Sequence, residues 1–369
     1  MLRYLFAFII LIHGLIHFMG FAKAFSYGNL TQLTKNISKP AGILWLVAAI
    51  LFIIASIFFL LKKESWPVIA FIAIIISQVL IITIWKDAKW GTFANIIIFV
   101  VALVASGNYF FNQSVNKEIS QIFNFETTDN GEIITKEMTE SLPFPAKHWL
   151  QNSGVIGHEK IHYVRLKQKG FMRTKPGQQK WMSADAEQYF TIDRPAFIWK
   201  VRMKMAPLTT VAGRDKFVNG KGGMTIKLLS LVTMVNESGS KIDQAALQRW
   251  LAEICWFPSA GLSPYIKWEE IDSLSAKATL SYKNVAGAVI FYFNQESEII
   301  KCTADRFKEN TADAPLKKWM ITVKRIGVFN GIKIPAELEV AWQLKEGNFT
   351  WYKITLTEVE YNKAEVFEL

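Results

Sequence analysis

The residues with the clearest catalytic pattern lie at 158–162, where the sequence reads His-Glu-Lys-Ile-His. On a helix this order fits the H-E-x-x-H motif of zinc peptidases, in which both histidines bind zinc and the glutamate, here Glu159, is the general base. The residues after the motif favour a strand, on which the two imidazoles would be about 13 Å apart, too far for one zinc ion. The strand spacing thus argues against a zinc site. A zinc-dependent hydrolase with the ligands His158, His162 and Glu187 is kept only as an alternative.

Other catalytic patterns are weaker. A glycine-rich stretch at 219–223 suggests a phosphate-binding loop, but such a loop needs a helix after it. The apolar run after this stretch is ambiguous, so we predict a hairpin turn. No nucleophile elbow is present, and the sequence favours a binding protein without a cofactor over an enzyme. Cys255 and Cys302 could form a disulfide only if their Cα atoms lie within about 7 Å.

Arginines and tryptophans of the C-terminal part could form an arginine-lined mouth over an apolar cavity. Such a site suits a carboxylate or phosphate head group. The predicted ligand-binding residues are Arg173, Trp181, Trp199, Arg214, Asp215, Arg249, Glu253 and Trp256. Arg306 is a further polar candidate. The alternative is structural: Arg214–Asp215 and Arg249–Glu253 would be ion pairs, and the tryptophans would fill an ordinary core.

Polar side chains that are candidates for a function inside the otherwise apolar N-terminal segments are His13, His17, Gln78 and Asn95. The two histidines are four residues apart and so share one helix face. Two imidazoles from one helix leave a metal under-ligated, and haem usually takes its axial ligands from opposite sides. We favour interhelical hydrogen bonding over a metal, haem or proton site, with Gly14 and Gly20 allowing close packing.

Four apolar stretches define the element that must hold these side chains. Each has about 19–21 residues and no charged residue, enough for a helix to cross a bilayer. The predicted spans are 4–22, 41–61, 67–85 and 93–111. The first could instead be a signal peptide, with a cleavage-like sequence at 22–24, but the three spans after it favour a retained helix.

Loop charges predict the orientation of these spans. The loops on one side hold five basic residues, and the other side holds three, which are Arg3, Lys62 and Lys63. The positive-inside rule then places the N-terminus and the C-terminal domain outside the cytoplasm. We expect an integral protein of the bacterial cytoplasmic (inner) membrane with an extracytoplasmic domain.

The composition changes after residue 112, which predicts a membrane domain at 1–112, a linker at 113–142 with a turn at 129–131, and a soluble domain at 143–369. Alternation of apolar and basic residues at 199–205 is typical of a strand. The other predicted strands are 161–170, 188–192, 223–231, 276–282, 288–293, 299–306, 319–329, 334–344 and 349–359. One helix is predicted at 243–256, capped by Asp243 and ended by Pro258. The fold class is four transmembrane helices plus an α+β domain, mainly an antiparallel sheet packed on a helix.

Short signatures along nearly the whole chain resemble a family of uncharacterised bacterial multi-span membrane proteins. They read HGLIH at 13–17, SKPAG at 38–42, WKDAK at 85–89, GT at 91–92, VRL at 164–166, GFMR at 170–173, GRD at 213–215, RWLAE at 249–253 and WFP at 256–258. The segment FNGIKIP at 329–335 and the two strands after it resemble Lol-type lipoprotein carrier and sensor domains. That second resemblance implies a curved antiparallel sheet that holds acyl chains outside the cytoplasm.

The net charge of +11 is concentrated in one part of the chain, because residues 160–227 contain 15 basic and 4 acidic residues. A basic face attached to a bilayer favours an anionic head group or an acidic neighbour over nucleic acid. We therefore expect a membrane-anchored extracytoplasmic domain that binds a lipid-like or amphiphilic anionic ligand, with membrane lipids as partners. The remaining alternative is a non-enzymatic envelope scaffold or assembly partner.

Overall fold

A computed structural model describes residues 2–124 and 131–368. The chain forms two compact units, residues 1–111 and residues 112–369. The turn predicted at 129–131 includes residues that lie outside the described ranges.

The first unit is helical, as predicted. Its helices are α1 (Leu2–Ala24), α2 (Lys39–Leu60), α3 (Trp66–Thr83), the short α4 (Trp85–Ala88) and the first part of α5 (Gly91–Phe123). Four of them, α1, α2, α3 and α5, are long and apolar enough to cross a membrane. Small residues allow close helix packing, since a Cβ added at Gly20 would lie 2.2 Å from the Trp45 ring.

Helix α5 continues to Phe123, well past the predicted end of the last span at residue 111. In its last part, Val115, Ile119 and Ile122 are buried within the second unit. Their spacing places them on one face of the helix, so the chain changes there from an all-round apolar helix to an amphipathic one. The first part of the predicted linker is thus helical.

The second unit contains α6 (Phe144–Asn152), thirteen described strands and α7 (Ser240–Glu253), which lies between the sixth and seventh strands. The strands are β1 (Tyr163–Met172), β2 (Met182–Thr191), β3 (Ala196–Ala206), β4 (Thr209–Val218), β5 (Lys221–Leu228), β6 (Val232–Ser238), β7 (Ile266–Asp272), β8 (Ser275–Tyr282), β9 (Val285–Phe293), β10 (Ile299–Phe307), β11 (Leu316–Phe329), β12 (Ile332–Leu344) and β13 (Gly347–Tyr361). They form one sheet in the order β6-β5-β4-β3-β2-β1-β13-β12-β11-β10-β9-β8-β7.

The sheet is strongly curved around α7. This helix contacts β4, β5 and β6 near one edge of the sheet and β8, β9 and β10 near the other. In a flat sheet β5 and β9 would lie about 43 Å apart, at about 4.8 Å per strand. A helix about 10–12 Å wide cannot span that distance, so the sheet bends until both edges meet the helix. We call the side that faces α7 the concave face. The predicted antiparallel sheet packed on a helix is confirmed.

The predicted hairpin turn at 219–223 is also confirmed. Val218 pairs with Lys221, and the two residues between them have positive φ angles, 52° at Asn219 and 77° at Gly220. This is the backbone of a two-residue hairpin that joins β4 and β5.

Three strands were not predicted, namely β4, β6 and β7. The alternation in β4 is hidden by a polar run, Arg214, Asp215 and Lys216, whose partners come from distant parts of the chain. The strand predicted at 223–231 is too long, because Leu229 and Ser230 turn the chain with positive φ angles before β6 begins. Strand β7 is an exposed edge strand rich in acidic residues.

Asp243 is not the cap of α7, contrary to prediction. The helix begins at Ser240 after Gly239. Asp243 is buried in the first turn and accepts a hydrogen bond from the Gly222 backbone nitrogen (2.8 Å). It also forms an ion pair with Lys221 (2.9 Å). The carboxylate therefore fixes the start of the helix to β5.

We expect Gly222→Ala to destabilise the second unit by about 1–3 kcal/mol, because the added methyl group forces α7 away from β5. A Cβ at this position would lie 2.5 Å from the Ile242 carbonyl oxygen. The matched control is Gly223→Ala, whose Cβ would meet its nearest neighbour, Arg214, at 3.4 Å. Thermal unfolding of the full chain in detergent, followed by tryptophan fluorescence, compares the two. Equal midpoints would contradict the proposed close contact.

Candidate functional site

Three charged side chains meet on the concave face. Arg249 and Glu253 are four residues apart on α7, and Asp215 lies on β4. The Arg249 guanidinium contacts the Asp215 carboxylate at 2.6 Å and the Glu253 carboxylate at 3.0 Å. The predicted Arg249–Glu253 pair is therefore present. Asp215 pairs with Arg249 and not with Arg214, contrary to the predicted Arg214–Asp215 pair, because adjacent residues of a strand point to opposite faces.

A chain of polar side chains continues from Glu253 into the core. Gln188 Nε2 donates to the second Glu253 oxygen at 2.7 Å, and Gln168 Nε2 donates to Gln188 at 3.1 Å. Gln168 Oε1 accepts hydrogen bonds from Trp199 Nε1 (3.1 Å) and from the Tyr352 hydroxyl (3.2 Å). Every member of this network has a partner, which is the condition under which buried polar groups stabilise a single structure.

Burial and charge act in opposite directions on this cluster. Burial disfavours the charged form of Arg249, but Glu253 and Asp215 together raise the pKa of its guanidinium. Burial raises the pKa of the Glu253 carboxyl, and the guanidinium of Arg249 counteracts that rise. The cation is thus shared by two acids, so Arg249 is already neutralised within the protein.

Arg306 on β10 is in a different situation. Its Nε donates to the Ala245 carbonyl oxygen of α7 at 2.9 Å, and its Cζ lies 4.7 Å from the ring centre of Trp319 and 5.9 Å from that of Trp342. In the described part of the chain no carboxylate forms an ion pair with Arg306. Burial lowers the pKa of its guanidinium to about 10, which leaves it charged at neutral pH.

A buried hydrogen-bond donor without an acceptor lies beside this guanidinium. The Trp319 side chain is 3% exposed, and its buried Nε1 has no hydrogen-bond partner among the described residues. A buried N–H without a partner costs free energy. A donor without an acceptor thus lies next to a cation without an ion-pair partner among the described residues.

Apolar side chains extend from this point along the concave face. Trp319, Trp342 and Phe349 are directly paired across β11, β12 and β13, so their side chains share that face. The Phe349 ring lies 5.6 Å from the Arg173 guanidinium carbon at the end of β1. A separate apolar cluster begins there, and it consists of Met172, Met182, Met203, Val211, Ile226 and Leu228. We call the three residues Trp319, Trp342 and Phe349, together with this cluster, the apolar floor.

The other predicted ligand-binding residues lie elsewhere. Arg173 donates to the Thr350 carbonyl oxygen at 2.6 Å, and its Cζ lies 4.2 Å from the ring centre of Trp181, at the edge of the apolar floor. Arg214 is on the opposite, convex face and pairs with Glu118. Trp256 is buried in the main core, where its Nε1 donates to the Pro335 carbonyl oxygen. Of the eight, the structure brings together Trp199, Asp215, Arg249 and Glu253.

The residues of the zinc alternative are not brought together. His158 is exposed, whereas His162 is buried and its Nδ1 is 2.6 Å from Asp193 Oδ2. Glu187 accepts the Tyr189 hydroxyl at 2.8 Å and pairs with Lys200. No group of three or more His, Cys, Asp or Glu side chains suited to a metal ion occurs in residues 2–124 and 131–368.

The polar residues of the first unit form a hydrogen-bonded ring between helices. His17 Nδ1 donates to the His13 carbonyl oxygen (2.7 Å), so its Nε2 accepts from the Ser77 hydroxyl (2.8 Å). Asn95 Nδ2 donates to Ser77 (3.0 Å) and to Gln78 (3.0 Å), and Asn95 Oδ1 lies 2.9 Å from His13 Nε2. These are the interhelical hydrogen bonds that the sequence predicts, and they join α1, α3 and α5.

Sequence reasoning gave Arg306 no special role and missed Trp319, Trp342 and the glutamine pair. The available signal was the strand period: Cys302, Ala304 and Arg306 alternate with polar or exposed residues, which places Arg306 on the buried face. The pairing of β10 with β11 could not be predicted from the sequence, so the contacts of Arg306 with Trp319 and Trp342 could not be predicted either.

Comparison with known proteins places this geometry in a wider context. The sequence model of a family of unknown function (DUF6544) matches residues 132–354, more than half of the chain. No curated protein matches the chain. A LolA superfamily protein from Nitrosomonas europaea is similar in structure, with 10% identity, a TM-score of 0.31, and coverage of 59% of this chain and 94% of that chain. A beta-barrel-like DUF1849 protein from Brucella abortus has 8% identity, a TM-score of 0.28, and coverage of 55% and 99%.

Both predicted resemblances are confirmed by these matches. The resemblance to an uncharacterised family agrees with the family match. The resemblance to Lol-type domains is a distant one, and at such TM-scores it carries no argument about a ligand.

We expect Arg249→Met to destabilise the second unit by about 3–5 kcal/mol at neutral pH, because it leaves two buried carboxylates without their cation. Burial raises the pKa of the Glu253 carboxyl, and the variant removes the guanidinium that opposes this rise. The penalty is therefore full at neutral pH and shrinks as the pH falls through the raised pKa of Glu253. Unfolding of the full chain at about pH 7.5 and about pH 5 measures this difference. Arg325→Met, which removes an exposed ion pair with Glu337, is the control and should cost at most about 1 kcal/mol at either pH. A pH-independent loss in Arg249→Met would contradict the assignment.

Proposed function

The chain belongs to a family of unknown function, DUF6544, and we propose that its C-terminal unit binds a lipid-like or amphiphilic anionic ligand on the concave face of the sheet. The observation that carries this proposal is Arg306, a partly buried cation without an ion-pair partner among the described residues. Moving a charge even partly out of water is costly, and such a charge is normally paired. A ligand anion would complete the site.

The surroundings of Arg306 indicate the class of ligand. A carboxylate or phosphate accepts hydrogen bonds from a guanidinium in a planar, charge-assisted geometry. The Trp319 indole N–H supplies a further donor. The apolar floor offers tryptophan, phenylalanine and methionine surfaces but few polar groups, which suits a hydrocarbon chain. Methionine side chains adapt to ligands of different shape, so this site fits a class of amphiphiles better than a single rigid molecule.

The predicted role of Arg249 is revised in this proposal. Asp215 and Glu253 occupy its hydrogen-bonding groups, so it holds α7 on the sheet and is not the anion-binding residue. The head group is assigned to Arg306. In this proposal the Arg249–Glu253 pair is therefore a structural ion pair, as the alternative from the sequence states.

We expect Arg306→Gln to weaken binding of an anionic amphiphile by about 10- to 100-fold, because one charge-assisted contact contributes about 1.5–3 kcal/mol. The full chain is placed in zwitterionic nanodiscs, and energy transfer from tryptophan to dansyl-undecanoic acid reports binding, with empty nanodiscs as the background. Lauric acid should displace the probe, and dodecanol, which has the same chain without the charge, should do so much less.

Two variants control this measurement. Arg325→Gln removes an exposed arginine and should leave binding unchanged, and Arg306→Lys retains the positive charge and should bind with intermediate affinity. Unfolding midpoints verify that each variant is folded. Equal affinity in Arg306→Gln and the parent chain, or equal displacement by the acid and the alcohol, would refute the assigned head-group site.

We also propose that this unit lies on the extracytoplasmic side of the bacterial inner membrane. The charge difference between the loops supports this side, since Lys23, Lys35, Lys39, Lys86 and Lys89 flank the odd-numbered connections. The test is protease treatment of intact spheroplasts, with detection of the C-terminal unit and of a cytoplasmic marker protein. Digestion of the unit while the marker survives is expected, and survival of both would place the unit in the cytoplasm.

A further inference from the structure

Exposed apolar side chains are concentrated at one end of the sheet, where β1, β3 and β5 end and β2, β4 and β6 begin. They are between 42% and 77% exposed, and they are Phe171, Met205, Leu208, Val232 and Met234. Leu208 stands at the tip of the β3–β4 hairpin and is the most exposed of the five. A surface with several such residues close together is unusual for a region that faces only water.

Basic residues lie directly beside these apolar ones. Lys169, Arg202 and Lys227 belong to one register row across the sheet, and Lys204 is two residues beyond Arg202. Among the described residues none of the four has an ion-pair partner. The acid in this row, Asp185, is exposed and leaves a net positive charge. We call the five apolar and four basic residues the basic rim.

The rim differs from the rest of the basic region. Further along the same convex face, Arg214 and Lys216 pair with Glu118, and Lys200 pairs with Glu187. Those basic residues form ion pairs within the protein, so they do not need an external anion. The basic residues of the rim form no ion pair among the described residues, and large apolar side chains are exposed beside them.

We propose that the basic rim docks on an anionic lipid bilayer. Apolar side chains flanked by Lys and Arg are the combination that enters a membrane interface, because the chains bury among the acyl groups while the cations meet lipid phosphates. Each basic residue near an anionic leaflet strengthens binding about fivefold. Four helices of the chain are long and apolar enough to cross a membrane, which would keep the C-terminal unit close to a bilayer. The proposal does not involve Arg306 and is independent of the ligand site.

The test uses the full chain with a single polarity-sensitive label. Leu208→Cys is labelled with an NBD maleimide and placed in nanodiscs of phosphatidylcholine alone or mixed with phosphatidylglycerol. The native Cys255 and Cys302 are buried and do not compete for the reagent. We expect a blue shift of the emission and quenching by doxyl-labelled lipid only in the phosphatidylglycerol discs.

Ile271→Cys is the matched control. Ile271 is also an exposed apolar residue, but it lies on β7 among Glu269, Glu270 and Asp272. Its label should report water in both kinds of disc. Equal spectra for the two labels in phosphatidylglycerol would overturn the proposal.

The charge requirement is tested in the same discs. In the Leu208→Cys chain, Arg202→Gln, Lys204→Gln and Lys227→Gln together should reduce the equilibrium constant for docking by about fivefold per residue. The charge-conserving set Arg202→Lys, Lys204→Arg and Lys227→Arg should retain it. An equal blue shift in phosphatidylcholine would refute the requirement for anionic lipid. A blue shift that rises with protein concentration in detergent would overturn the lipid assignment and identify a second copy of the chain as the occupant.

Discussion

The C-terminal unit depends on the packing of α7 into the concavity of the sheet. The helix follows one edge strand, β6, and precedes the other, β7, so it separates the two halves of the sheet in the chain while it contacts both in space. The halves are joined by the pairing of β1 with β13, where His162 N donates to Asn362 across 200 positions of sequence. Closing so long a loop costs entropy, and the burial of Trp250 and Leu251 between the halves opposes that cost.

The distribution of charge follows from the same arrangement. Much of the basic excess at 160–227 is neutralised by acids from other parts of the chain: Glu118 of α5, Asp243 of α7 and Glu360 of β13. Each of these pairs joins two elements of the second unit. A count of charge along the sequence therefore overstates the positive charge that the folded unit presents. Only the basic residues without such partners are available for an external anion.

The sequence was sufficient for features that depend on local pattern. Apolar length identified the four helices that are able to cross a membrane, and alternation identified most strands. The glycine-rich hairpin was distinguished from a phosphate loop because no clear helix signal comes after it. It was insufficient where tertiary partners decide. Strand β4 was missed because its polar run makes sense only with Arg249 and Glu118 in place, and Asp243 was assigned as a cap because its bond to Gly222 is not local. At the candidate site, half of the expected residues meet, and Arg306, to which we assign the head group in our proposal, was not singled out.

The two arginines of the concave face show why sequence proximity is a poor guide to charge pairing. Arg249 has Glu253 one helical turn away, and the helix period brings them together. Arg306 has Asp305 directly before it, but the strand period turns that carboxylate to the opposite face, where it pairs with Lys318 at 2.9 Å. The nearest acid in sequence is thus removed from Arg306 by the geometry of the strand itself. The contacts of the guanidinium among the described residues are one carbonyl of α7 and two indole rings, which solvate a cation only in part. Asp215 and Glu253 attract it without forming an ion pair, and Arg249 repels it. The helix that completes the fold also positions this arginine, because the Ala245 carbonyl of α7 accepts its Nε hydrogen bond.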